Sequence, residues 1–108
     1  MWFIFPQIEG LGQSPTAKYY SLKNVNEAQE YLAHPVLGAR LLECCNALLN
    51  IIGKSADEIF GYPDNMKLRS CLTLFSFVTP ERETFISLLK KYFNGKLDEK
   101  TVAILKAH

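Results

Sequence analysis

The 108-residue sequence contains few of the side chains from which catalytic and metal sites are usually built. It has only two histidines, His34 and His108, and its three cysteines form no CxxC pair. The dinucleotide-binding GxGxxG pattern, the phosphate-binding P-loop and the zinc-binding HExxH pattern are all missing. We therefore predict neither a metal nor a bound cofactor, and the residues leave open whether the protein is an enzyme.

The sequence also lacks a strong charge of either sign and a long apolar run. A net charge of +1 disfavours nucleic acid as a partner, because phosphate binding usually needs a basic face. No run approaches the roughly 18 apolar residues of a membrane-spanning helix. The opening MWFIF lacks the basic start and the length of a signal peptide. We expect no nucleic-acid partner, no membrane association and a cytoplasmic location.

Cysteines are too few to suggest a disulfide framework. Cys44 and Cys45 are adjacent, so a helix would direct them to different sides, and Cys71 leaves an odd number. We predict three buried thiols in a reducing compartment.

Helical periodicity dominates the rest of the sequence. With 48% hydrophobic and 21% charged residues, the chain has the composition of one globular domain, which we assign to residues 1–108. We predict a mainly α fold: a compact single-domain bundle of about five helices with a short extended or irregular N-terminal segment. The stretch 36–52 is apolar around most of its helical surface, and we expect it at the centre. Residues 73–78 (TLFSFV) also resemble a strand, but their helical neighbours favour a helix.

Four helix starts can be read from capping patterns. Asn24 precedes a helix with Glu27 three residues on, and Ser55 and Glu58 form a second capping box. Thr79-Pro80-Glu81 has the order cap, proline and acid that is typical of a helix start. Asp98 is expected to cap the last helix. His34, at a helix end before Pro35, is interpreted as a residue that complements the helix dipole or caps the helix.

Two segments combine aromatic and polar side chains in a way that suggests a ligand site. One is WFIFPQIEGLGQSPTAKYY near the N-terminus, and the other is YPDNMKLRS at residues 62–70. Binding pockets commonly set a few polar groups in an apolar wall. If the segments meet, they suit a small anionic or nucleotide-like ligand. The predicted ligand-binding residues are the walls Trp2 and Phe5 and the polar side chains Gln7, Ser14, Thr16, Tyr20, Asp64, Lys67 and Ser70.

The alternative is that these aromatic residues are core and the cations are solvated. The protein is then a non-enzymatic interaction module that self-associates through its apolar N-terminal segment. Leaving MWFIF in water is unfavourable, since a few large side chains at about 25 cal/mol per Å² amount to several kcal/mol. We expect burial of MWFIF in its own domain or against a second subunit, and predict a homodimer or an exposed apolar patch.

Four stretches in one order resemble the bacterial family of domains of unknown function numbered 1810. They are MWFIFPQIEGLGQSPTAKYYSL, EAQEYLAHPVLGARLLECCNALL, IFGYPDNMKLRSCLTLF and KYFNGKLDEKTVAIL, which together span almost the whole chain. The resemblance implies a small all-helical protein and no established activity. Family members have further residues before the tryptophan segment, whereas Trp2 here follows Met1. Asn65 and Cys71 replace an acid and a serine that are frequent in the family.

The chain is also distantly similar to NADAR-type N-glycosidases, which act on nucleotide-derived substrates. The similarity is confined to a loop rich in serine and threonine that is followed by a helix. No position of this chain matches their catalytic glutamate, so the similarity assigns no catalytic residue.

Overall fold

The computed structural model describes residues 5, 6, 8, 21–62 and 64–107, and most of them are helical. The six helices of this part of the chain are α1 (Val25–Ala33), α2 (Leu37–Asn50), α3 (Ala56–Phe60), α4 (Asp64–Val78), α5 (Glu83–Phe93) and α6 (Glu99–Ala107). Ile8 pairs with Leu22 in an isolated parallel β-bridge. The predicted mainly α fold is confirmed, and residues 73–78 are helical.

Local capping interactions set three of the helix starts that the sequence predicts. The Asn24 side chain accepts a hydrogen bond from the Glu27 backbone N–H at 2.9 Å. Ser55 and Glu58 form the reciprocal capping box, with hydrogen bonds of 3.0 and 3.1 Å. The carboxylate of Asp98 accepts from both the backbone N–H and the hydroxyl of Thr101. These ends are fixed by residues three positions apart, which explains why the sequence alone indicates them.

The start of α5 differs from the sequence prediction. Thr79, Pro80 and Glu81 form a turn, closed by a 3.1 Å hydrogen bond from the Arg82 N–H to the Thr79 carbonyl, and the helix begins only at Glu83. The Thr79 hydroxyl donates to the Glu81 carboxylate instead of accepting from a helix N–H. Arg82 has an extended backbone, which keeps Glu81 and Arg82 outside the helix.

The centre of the bundle is α4 and not the more continuously apolar α2. Helix α4 packs against α1, α3, α5 and α6. Seven of its fifteen residues are buried, whereas α2 buries only one face: Gly38, Leu41, Cys45 and Leu48. Two of the buried residues of α4, Ser70 and Thr73, are polar, and their hydroxyls donate to the carbonyls of Met66 and Arg69 one turn earlier. Such pairing allows polar side chains to be buried in a helix interior.

Helix α2 is fixed at both ends by side chains. At its start, the Nδ1 atom of His34 accepts hydrogen bonds from the backbone N–H groups of Val36 and Leu37, both at 3.1 Å. From the sequence, His34 is expected to complement the dipole or cap at the end of α1, whereas its side chain accepts hydrogen bonds at the start of α2. At its end, the Lys91 ammonium from α5 donates to the carbonyls of Leu48, Leu49 and Ile51. The positive charge of Lys91 thereby lies at the negative end of the α2 dipole.

The described part of the N-terminal segment contributes to the core. Phe5 is 4% exposed and Ile8 is 1% exposed, and both belong to the main hydrophobic cluster of the bundle. Of the stretch MWFIF, Phe5 is buried within its own domain, and residues 1–4 lie outside the described residues. Among the described residues, no helix has the length and apolar character needed to cross a bilayer.

Candidate functional site

The first candidate site lies where the N-terminal segment meets the end of α3. The ring of Phe5 packs edge-on against the ring of Phe60, with 6.1 Å between ring centres and planes at 85°. This T-shaped geometry is a favourable one for two aromatic rings. Phe60 is the last residue of α3, only four positions before α4 begins. Phe5, a predicted wall residue, therefore lies beside the chain that leads into α4.

Short-range contacts join the end of α3 to the start of α4. Gly61 ends α3 with a φ of 72°, a left-handed value that favours glycine. The Asn65 backbone N–H donates to the Gly61 carbonyl at 2.9 Å, and the Asn65 amide donates to the Asp57 carboxylate. Tyr62, which follows Gly61, is 83% exposed, so its aromatic ring is in contact with solvent. We call residues 57–62 and 64–67 with Phe5 the α3–α4 corner.

Three predicted ligand-binding residues lie along the first half of α4. Asp64 and Lys67 form an ion pair with 3.4 Å between carboxylate oxygen and ammonium nitrogen, and their side chains are 43% and 22% exposed. Ser70 is buried, and its hydroxyl donates to the Met66 carbonyl. Lys67 is thus the partly accessible cation of the predicted set, while the Ser70 proton is already engaged within the helix.

The remaining predicted residues, Trp2, Gln7, Ser14, Thr16 and Tyr20, lie outside the described residues. Arg69, which the same segment of the sequence contains, belongs elsewhere: its guanidinium donates to the Leu97 carbonyl at 2.6 Å and links α4 to the loop before α6.

A second candidate site is a shallow depression between α1 and the turn that follows α4. Its volume is about 320 Å³, and its lining residues are Gln29, Leu32, Ala33, Val78, Thr79, Glu81 and Arg82. Sequence reasoning missed it because Thr79-Pro80-Glu81 predicts the first turn of α5. The turn instead brings Glu81 and Arg82 to the rim of the depression. The backbone and the Thr79 hydroxyl hydrogen-bond the Glu81 carboxylate and hold its pKa below the usual value.

Two of the three cysteines, Cys45 and Cys71, are poorly suited to nucleophilic chemistry. All three are free, as predicted; Cys45 and Cys71 are buried and Cys44 is half-buried. Burial raises the pKa of the Cys45 thiol from 9.0 to about 12 and that of Cys71 well above its ordinary value. A protonated thiol is a poor nucleophile. Within the described part of the chain, no cluster of three or more histidine, cysteine or acidic side chains could hold a metal ion.

Comparison with known proteins identifies the relatives of this fold. The family described as "Protein of unknown function (DUF1810)" matches residues 1–105. The crystal structure of the conserved hypothetical protein Rv1873 from Mycobacterium tuberculosis superimposes with a TM-score of 0.95 at 48% sequence identity. The superposition covers 97% of this chain and 75% of that one. No curated protein matches the sequence significantly.

Proposed function

Since the chain belongs to the DUF1810 family of proteins of unknown function, we propose from its own residues that it binds a small anionic, nucleotide-like ligand at the α3–α4 corner. The observation that supports this most is the contact between Phe5 and Phe60. This contact places the N-terminal segment beside the residues that come just before the second predicted segment, residues 62–70.

Lys67 supplies the positive charge for the ligand. Its side chain is largely covered, and its ammonium lies 3.4 Å from the carboxylate of Asp64, a residue of the same helical turn. An ion pair between such partly exposed side chains contributes only about 0–1 kcal/mol. A phosphate can therefore compete with Asp64 for the Lys67 ammonium, while the Asp64 carboxylate repels the incoming anion.

Aromatic side chains supply the apolar contacts. Phe60 is half-buried, and the ring of Tyr62 is exposed two residues further on. The flat face of a nucleobase or sugar packs well against such rings. Cation, carboxylate and aromatic ring thus follow one another within eight positions, from Phe60 to Lys67.

The proposal is tested by thermal denaturation with ADP-ribose, AMP, ribose 5-phosphate and inorganic phosphate as probes. A ligand that binds only the native state at a hundredfold excess over its Kd stabilises that state by about 2.7 kcal/mol. We expect at least one organic phosphate to raise Tm saturably. Lys67→Met should weaken its binding about tenfold or more, because a charged hydrogen bond is lost. Asp64→Asn should strengthen binding, since it removes the competing negative charge.

Lys100→Met is the matched control, because Lys100 is an exposed lysine on α6. It should leave the Tm shift at the wild-type value. Equal binding by wild-type protein and Lys67→Met, or the absence of any shift with all four probes, would contradict the proposal.

A second candidate function, self-association, is favoured by two exposed apolar side chains. Ile52 is 91% exposed and Tyr62 is 83% exposed, in the loops on either side of α3. Size-exclusion chromatography with light scattering tests it: a homodimer that dissociates in Ile52→Ser would support this function, and a wild-type monomer would exclude it. The three free cysteines support a reducing, cytoplasmic location for either function.

A further inference from the structure

The depression between α1 and the turn after α4 is lined by apolar side chains and by side chains of both charges. Leu32, Ala33 and Val78 supply the apolar side chains, while Glu81 and Arg82 supply a carboxylate and a guanidinium. A volume of about 320 Å³ lies at the lower end of the range of small-molecule sites, roughly 300–1,000 Å³. The depression therefore suits a ligand smaller than a nucleotide.

The turn that bears the two charges is held firmly before any ligand binds. Thr79 is 7% exposed, and its N–H donates to the Phe75 carbonyl at 3.0 Å. The Arg82 N–H donates to the Thr79 carbonyl, and the Thr79 hydroxyl donates to one carboxylate oxygen of Glu81. A site of fixed shape loses less conformational freedom when it binds a ligand.

Several polar groups that line the depression can form further hydrogen bonds. The Glu81 carboxylate accepts from the Thr79 hydroxyl at 2.8 Å and from its own backbone N–H, and its two oxygens have lone pairs for a further donor. Among the described residues, no hydrogen bond or ion pair engages the Arg82 guanidinium or the Gln29 amide. The guanidinium fork matches a carboxylate through two parallel hydrogen bonds. A carboxylate such as Glu81 accepts hydrogen bonds from an ammonium group.

We propose that this depression binds a small zwitterion with an aliphatic group, for which a free α-amino acid such as leucine is the simplest example. Its carboxylate pairs with Arg82, its ammonium pairs with Glu81, and its side chain packs on Leu32 and Val78. This site is independent of the α3–α4 corner, because the two lie at opposite ends of α4. Fifteen residues separate the ends by about 22 Å.

The same chemistry also occurs at the two ends of a peptide, and the choice of probes separates these sources. Leucine carries both charges, N-acetyl-leucine carries only the carboxylate of a peptide C-terminus, and leucinamide carries only the ammonium of an N-terminus. Because the depression is open and the ligand is small, we expect dissociation constants for leucine of about a millimolar.

The experiment is a titration of the full chain with each compound, followed through the backbone amide resonances in nuclear magnetic resonance spectra. Leucine should cause saturable shifts at Gln29, Val78, Thr79 and Arg82, and bind about tenfold more tightly than either singly charged analogue. Arg82→Gln should lower the affinity for leucine and N-acetyl-leucine about tenfold and leave leucinamide unchanged. Glu81→Gln should lower the affinity for leucinamide about tenfold and leave that for N-acetyl-leucine unchanged.

Glu43→Gln and Lys100→Gln are the control variants, because both side chains are exposed on helices that do not line the depression. They should bind leucine like the wild-type protein. Linear, non-saturating shifts with leucine, or equal affinity for all three compounds, would overturn the proposal even if a variant failed to fold. Tighter binding of N-acetyl-leucine or of leucinamide than of leucine would reject the zwitterion and identify a peptide terminus instead.

Discussion

The replacement of Lys91 by methionine tests how the end of α2 is stabilised. The Lys91 ammonium donates to the carbonyls of Leu48 at 2.9 Å and Leu49 at 2.7 Å, and also to that of Ile51. These carbonyls lie at the end of α2, where the helix no longer supplies its regular backbone donors, although the Leu48 carbonyl also accepts from the Ile51 N–H at 3.4 Å. Methionine keeps most of the aliphatic length of lysine but removes the charge and every donor. The substitution therefore isolates the capping interaction from side-chain packing.

The expected cost can be worked out from this geometry. A cation at a partly buried helix C-terminus contributes up to about 2 kcal/mol, and a charged hydrogen bond about 1.5–3 kcal/mol. Water can replace Lys91 at the released carbonyls, since the lysine is exposed, so the contributions do not add fully. We expect Lys91→Met to lower the free energy of unfolding by about 2 kcal/mol. For a domain of this size that corresponds to a fall in Tm of roughly 10 °C.

Urea denaturation of Lys91→Met and Lys90→Met provides the measurement and its control. Lys90 is the neighbouring exposed lysine on α5, and its replacement should change the free energy by less than about 0.5 kcal/mol. Tyr92→Phe is a second probe of the same acceptor, because the Tyr92 hydroxyl donates to the Leu48 carbonyl at 2.6 Å. Equal unfolding midpoints for the two lysine variants would refute the capping argument.

Two further predictions concern the packing of α2. A Cβ atom on Gly38 would lie 1.9 Å from the Leu32 carbonyl oxygen, so Gly38→Ala must push α1 and α2 apart. We expect Gly38→Ala to lower the free energy of unfolding, measured by urea denaturation, by about 3 kcal/mol. The control Ala39→Gly should lower it by about 1 kcal/mol, and a smaller loss for Gly38→Ala than for this control would contradict the close contact. Burial raises the pKa of the Cys45 thiol from 9.0 to about 12, so the native state keeps this proton when the unfolded state has lost it. This contribution to stability is complete below pH 9.0 and is lost as the pH rises towards about 12. Between these pH values the urea midpoint should fall less steeply for Cys45→Ala than for the wild-type protein. Parallel curves for the two proteins would contradict the role of Cys45.

Features set by neighbours along the chain could be predicted from the sequence. The helix starts at Asn24, Ser55 and Asp98 depend on a side chain and a backbone N–H three residues away, and all three are confirmed. The predicted start at Thr79 is wrong because two local interactions compete there. The Thr79 hydroxyl can cap a helix or bind the nearby Glu81 carboxylate, and the structure adopts the second.

Features that depend on distant contacts could not be predicted. Helix α2 has the more continuous apolar surface, yet α4 is central, because internal hydrogen bonds let Ser70 and Thr73 be buried. Lys91 caps a helix whose last residues lie more than forty positions earlier, and no local pattern encodes that pairing. For the candidate site, the sequence indicated Phe5, Asp64 and Lys67, but the depression at Glu81 and Arg82 exists only because α5 starts late.

The central position of α4 has a consequence for how the molecule opens. Because α4 touches four other helices, it cannot separate from one of them without disturbing the rest. Its amide hydrogens can therefore exchange with deuterium only when the whole bundle comes apart, whereas the edges of the molecule open singly. The slowest exchange rates along α4 measure the global free energy directly, and any compound that binds at either end of this helix will slow them together.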